Sequence, residues 1–101
     1  MHTQQDIIDK IIPILKQYPI KKAALFGSYA KNEQTEASDI DIIVSMPKLD
    51  ALLFSSLRVD IIDAVEKHCD LIYEGDFERM DSEFKESASR TMEVFYESNT
   101  E

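Results

Sequence analysis

The stretch LFGSYAKNEQTEASDIDIIV, residues 25–44, decides how this chain is read. An apolar run ends in Gly27-Ser28, ten residues follow Ser28, and Asp39 and Asp41 then open a second apolar run. Successive side chains on a strand point to opposite faces, so Asp39 and Asp41 project together while Ile40 and Ile42 point the other way. Two neighbouring carboxylates repel one another unless a cation stands between them. An oxygen-only pair of this kind suits Mg²⁺, which takes one or two carboxylates and fills its remaining positions with water and substrate phosphates. The Gly27-Ser28 turn supplies the complementary half. A backbone without a side chain lets a phosphate approach, and N–H groups at the start of a helical turn bind anions. The chain has only two glycines, Gly27 and Gly75, so one placed directly before a serine at the end of an apolar run carries weight.

On either side of this stretch the pattern alternates between helix and strand. Ile7, Ile8, Ile11, Ile12 and Leu15 recur at helical spacing behind Thr3, a residue suited to an N-cap, so an amphipathic helix is expected there. Pro13 should kink or split that helix, and Tyr18-Pro19 should end it. Lys22 to Phe26 reads as a first strand, Ser28 to Lys31 as a helical turn, and Asp39 to Ser45 as a second strand stopped by Met46-Pro47. From Leu49 to His68 the apolar residues Leu52, Leu53, Leu57, Ile61, Ile62 and Val65 predict the longest helix, with Arg58 on its solvated face. CDLIY, residues 69–73, reads as a third strand closed by a turn at Glu74-Gly75-Asp76. Phe77, Met80, Phe84 and Ala88 suggest a short helix, and Thr91 to Tyr96 a fourth strand. The expected fold is therefore α/β, of the α+β-like kind, with a mixed sheet of about four strands flanked by helices. Residues 1–101 read as one domain, with 97–101 a frayed tail.

Composition bounds the function. At 44% apolar and 31% charged residues the chain is globular in character. Twenty acidic against eleven basic residues leave a net charge of −9, which repels nucleic-acid phosphates and suits a basic protein partner. The lone Cys69 can make no internal disulfide and reads as core, and no Cys/His spacing suggests zinc. IIDKIIPIL near the start is too broken by charge and proline for a membrane span, so the cytoplasm is the expected compartment. His2 and His68 read as a terminal residue and a helix C-terminal residue rather than as catalysts.

Asp70 opens the third strand as Asp39 and Asp41 open the second. If those strands are neighbours, three carboxylates converge at one end of the sheet, beside a phosphate-binding turn. In this respect the chain resembles the minimal nucleotidyltransferase family, the small members of the polymerase-beta-like superfamily. LFGSYAKNEQTEASDIDIIV matches the family's Gly-Ser, ten residues, Asp-x-Asp signature; HCDLIY matches the strand carrying its third aspartate; MEVFYE resembles its terminal strand. Family members commonly have Arg-Gly where this chain has Lys31-Asn32.

The resemblance implies a nucleotidyltransferase in which Asp39, Asp41 and Asp70 hold two Mg²⁺ ions. Asp70 would also draw the proton from the attacking hydroxyl. Ser28 and the backbone around Gly27 and Tyr29, with Lys31 nearby, would hold the outer phosphates of ATP. Tyr29 lies close enough to the motif to touch the nucleotide, although core packing is the commoner role for such a ring. The resemblance further implies an antitoxin that moves AMP onto a tyrosine hydroxyl of a HEPN-domain ribonuclease toxin, acting as a homodimer or a hetero-oligomer with that toxin. Leu49 to Leu57 is a segment suited to docking or to core. Two alternatives stand beside this: an antitoxin that blocks its partner by binding alone, and a transferase acting on a small hydroxyl compound.

Overall fold

The computed structural model describes residues 3–98 apart from 36 and 49, so the start of the expected long helix at Leu49 and the last three residues of the expected tail lie outside the described residues. The elements in order are α1 (Gln4–Leu15), β1 (Lys22–Phe26), β2 (Ile40–Ser45), α2 (Ala51–Val65), β3 (Cys69–Tyr73), α3 (Glu74–Phe77), α4 (Ser82–Thr91) and β4 (Glu93–Glu97). The sheet runs β3-β2-β1-β4. β1 pairs antiparallel with both β2 and β4, and β2 pairs parallel with β3 across the α2 connection. The fold is the mixed, helix-flanked sheet expected.

Local chemistry explains where the elements start and stop. Thr3 caps α1 in a reciprocal pair with Asp6. Pro13 lies inside α1 without dividing it, so the expected split does not occur. Its missing N–H deprives only the carbonyl one turn back, at Asp9, and both residues are exposed, so solvent satisfies that carbonyl. Asp50 caps α2 by accepting from the Leu52 and Leu53 amides at 3.0 and 3.2 Å. Glu66, in the left-handed region at φ 56°, ends α2 short of the expected His68.

Other boundaries also move. Glu74-Gly75-Asp76 forms part of the one-turn helix α3 rather than an open turn. Gly75 is needed there because a Cβ would come within 2.5 Å of the Tyr73 ring. The expected helix across residues 77–90 is two: Phe77 closes α3, and Phe84 and Ala88 lie on α4. Thr91 is the last residue of α4, so β4 starts later than expected. Glu97 is no frayed end, since it pairs with Lys22, and the Ser98 amide donates to the Lys21 carbonyl at 2.8 Å.

One sheet face carries the main core. Ile7, Ile11 and Leu15 of α1 and Leu57, Ile61 and Val65 of α2 pack on Leu25, Ile40, Ile42 and Cys69. The opposite face is thinner, with Phe26, Ile43, Phe77 and Ala88 at its centre. Ile61 is fully buried, so Ile61→Ala is expected to lower stability by about 2–5 kcal/mol, a large part of a small domain's total. Urea denaturation reads this directly, and an unshifted midpoint would contradict the packing. Along α2, Leu57 joins the core, while Leu52 is 82% exposed and Leu53 is exposed beside it. No helix among the described residues is long and apolar enough to cross a membrane.

Candidate active site

Register builds the site. Phe26 stands opposite Asp41 across the β1–β2 pair, and Asp41 stands opposite Asp70 across the parallel β2–β3 pair. Partners on adjacent strands project to the same face, so Asp41 and Asp70 emerge side by side at the sheet end where β1 gives way to Gly27. Asp39 lies just before β2, one residue outside the strand expected to begin with it, and still faces the same cluster. The three aspartates singled out by spacing thus meet.

Gly27 is required on two counts. Its φ is +75°, a conformation that L side chains rarely adopt. A Cβ there would also stand 2.7 Å from Asp41 Oδ2. Residues 28–33 then close into the expected helical turn, with Lys31 N–H donating to the Gly27 carbonyl and Glu33 N–H to the Ser28 carbonyl at 3.2 and 2.9 Å. Asn32 takes φ 58°, which accounts for the glycine common at that place in the resembling family; asparagine is among the few side chains that tolerate it. Gln4 clamps the turn from α1, its amide donating to the Tyr29 and Ala30 carbonyls at 2.9 and 3.3 Å.

One expected phosphate contact is corrected. The Gly27 N–H donates to Thr91 Oγ1 at 3.3 Å, so this amide is tied to the end of α4 instead of facing a ligand. The Tyr29 ring is 1% exposed in the main core, the commoner of the two roles expected for it. Ser28 is half-buried at the turn, and Lys31 is exposed, 3.7 Å from Glu33 Oε1.

A cleft of about 480 Å³ opens over this end of the sheet, within the range that holds small ligands. Gly27, Lys31, Asp41 and Asp70 line its base, and Phe84 and Thr91 of α4 form a wall. Arg58 of α2 also lines it, although the core residues of α2 lie on the other sheet face. This corrects its expected place on a solvated helix face; nothing local in the sequence marks it out. His68 is the second residue missed: its Nε2 lies 2.9 Å from Asp70 Oδ1. A signal was available, since His68 and Asp70 repeat the i, i+2 spacing of Asp39 and Asp41.

The electrostatics are those of crowded negative charge. Burial, then the charge of Asp70 and a hydrogen bond shared with it, then Asp39, push the Asp41 carboxyl up from 3.8 to about 6, partly offset by His68. Burial and the same acids push the Cys69 thiol up to about 12, which leaves it an inert core residue as expected.

The donor set suits a divalent cation. One ligating atom from each of Asp39, His68 and Asp70 lies within 4.8 Å of the others, and Asp41 adjoins Asp70.

A pH dependence follows. Asp41 binds its proton more tightly folded than unfolded, so its contribution to the stability of the metal-free chain is full below about pH 4 and is lost as pH rises through about 6. Cation affinity runs the opposite way and is expected to fall as pH drops through about 6. Denaturation and calorimetric Mg²⁺ titrations across pH 4.5–7.5, in the native chain and in Asp41→Asn, isolate both slopes by difference. Parallel slopes in the two proteins would contradict the assignment to Asp41.

The model of the nucleotidyltransferase domain family matches residues 8–95. The chain belongs to that family. A relative in Methanocaldococcus jannaschii, "Putative protein adenylyltransferase", is 43% identical over 68 residues, covering 66% of this nucleotidyltransferase and 73% of the relative. Among solved structures, the crystal structure of a toxin-antitoxin with AMP-PNP superposes with a TM-score of 0.71 at 23% identity, over 91% of this chain and 74% of that one. The MNT antitoxin complex of a tri-AMPylated Shewanella oneidensis HEPN toxin superposes with a TM-score of 0.67 at 22% identity, over 95% and 74% of the two chains. Both likenesses establish the fold of this nucleotidyltransferase.

Proposed function

We propose that this nucleotidyltransferase is an antitoxin that moves AMP from ATP to a tyrosine hydroxyl of a HEPN-domain ribonuclease toxin. The observation that carries the transfer chemistry is the in-register meeting of Asp41 and Asp70 beside the Gly27 turn, within one cleft. The choice of acceptor is supported by the protein adenylyltransferase relative and by the tri-AMPylated HEPN toxin bound to the structurally similar antitoxin. The net charge of −9 is complementary to a basic, RNA-cleaving partner.

Asp39, Asp41 and Asp70 would hold Mg²⁺, with His68 adjoining. When bound, the ion supplies the positive charge that lets a triphosphate enter this acidic cleft and its leaving group depart. Ser28 and the amides of the following turn hold the outer phosphates. Lys31 and Arg58, which both line the cleft, offset their charge. Asp70, the exposed acid at the sheet edge, takes the proton from the acceptor hydroxyl as its oxygen forms a bond to the α-phosphorus. The bond from that phosphorus to the β-phosphate oxygen breaks, and pyrophosphate leaves. The chain's own work is orientation and charge, since no bond to the protein forms.

Incubating the purified chain with its cognate toxin, ATP and Mg²⁺, and weighing both proteins intact, tests the reading. The toxin is expected to gain adenylyl groups and to lose ribonuclease activity in step. Neutralisation with no added mass would replace this reading with one of binding alone.

A further inference from the structure

We propose that His68 is itself a metal ligand of the acidic cluster at this sheet end, and that its nitrogen shifts the site's preference from Mg²⁺ toward Mn²⁺ and similar first-row ions. The inference rests on the cleft being a divalent-cation site and adds a donor that the acidic signature does not include.

Geometry supports it first. His68 Nε2 stands 2.9 Å from Asp70 Oδ1, and the donor atoms of Asp39, His68 and Asp70 all lie within 4.8 Å of one another. Around a six-coordinate ion with bonds of about 2.1 Å, neighbouring ligands stand about 3 Å apart and opposite ones about 4.2 Å. The His68–Asp70 pair already has the neighbouring spacing. Asp39 lies within 4.8 Å of both, and all three residues are exposed.

The contact between His68 and Asp70 is also easily exchanged. The two side chains are 50% and 55% exposed, so solvent screens the pair and holds it only weakly. His68 enters through backbone placement. It sits directly before β3, where its neighbour Cys69 is fully buried and turns away from the acids, so residues 68 and 70 share a face. The His68 carbonyl accepts from the Ile40 amide at 3.1 Å, which joins this residue to the start of β2 and hence to Asp39.

Donor chemistry then decides preference. Carboxylates and water alone favour Mg²⁺, a hard ion that keeps oxygen ligands. Replacing one water by imidazole gains little for Mg²⁺ and more for Mn²⁺, Co²⁺ or Zn²⁺, whose affinity for nitrogen is higher.

The test uses the whole chain loaded with Mn²⁺ and no nucleotide, because adenine would bring its own nitrogens. Pulsed electron paramagnetic resonance is expected to show imidazole nitrogen coupling to Mn²⁺ in the native chain and in His2→Gln, and to lose it in His68→Gln. The Mn²⁺-over-Mg²⁺ preference from competitive titration is expected to fall roughly tenfold in His68→Gln, as for other losses from a metal's coordination sphere. Tight Mn²⁺ binding without nitrogen coupling, or coupling that survives His68→Gln, overturns this inference and leaves the transferase reading standing. Failure of both ions to bind, with or without AMP-PNP, overturns both.

Discussion

Asp41→Asn is expected to abolish nucleotidyl transfer while leaving the fold intact and, without divalent cations, more stable. Asparagine keeps the shape of the side chain and removes its charge. Asp41 is half-buried at the middle of the acidic row, adjoining Asp70 and within the field of Asp39, which is why its carboxyl is pushed up to about 6. Removing a charge held against desolvation and repulsion relieves the metal-free fold at neutral pH. The same charge is what the proposed cation requires, so transfer is expected to fall about 10³-fold, the scale seen when charge-stabilising groups are removed from reacting centres. Asp39→Asn and Asp70→Asn, both at exposed positions, should reduce transfer with a smaller gain in metal-free stability. Urea denaturation at pH 7 and calorimetric Mg²⁺ titration read the two halves separately. Undiminished transfer by Asp41→Asn would end the proposed chemistry, and a loss of stability would contradict the electrostatic account of the cluster.

Gly27→Ala is expected to damage both fold and activity, and for separable reasons. A side chain at φ +75° costs about 1–2 kcal/mol, which in a domain of this size lowers the melting temperature by roughly 4–15 °C. The added Cβ would press on Asp41 Oδ2 at 2.7 Å, and the carboxylate, as the movable end of a side chain, would give way. That displacement costs little in packing but moves a proposed metal ligand, and misplacement by about 1 Å is sufficient for a 10²-fold loss of rate. Asn32→Gly supplies the contrast. It relaxes a left-handed residue outside the acidic row and is expected to leave transfer within about twofold of native while altering stability little. Thermal denaturation and initial transfer rates for the two variants should therefore diverge. Equal behaviour would remove the special role assigned to Gly27.

The same positions show how much of the site was legible beforehand. Gly27-Ser28 and the Asp39, Asp41 pair announce themselves through spacing and alternation, and Asp70 through its place at the head of a strand. His68 carried the same alternation signal but sat at the end of a helical pattern, and Glu66 broke that pattern two residues earlier than apolar periodicity suggested. The Gly27 amide is expected to face a ligand, whereas Thr91 takes it. That difference comes from a partner far away in the chain.

By itself, then, the order of residues settled the strands Lys22–Phe26 and Cys69–Tyr73 to the residue, the turn between β1 and β2, and which acids share a face. Those follow from forces acting within a few bonds: strand alternation, glycine's access to positive φ, and proline and capping boundaries. Tertiary structure alone decided that β2 lies against β3 in a register that sets Asp41 beside Asp70. It alone brought Arg58 to the cleft, placed Thr91 on Gly27 and drew His68 into the acidic cluster. The physical reason is that strand pairing and helix docking are chosen by burial of the whole apolar surface at once, a property that no local window of residues contains.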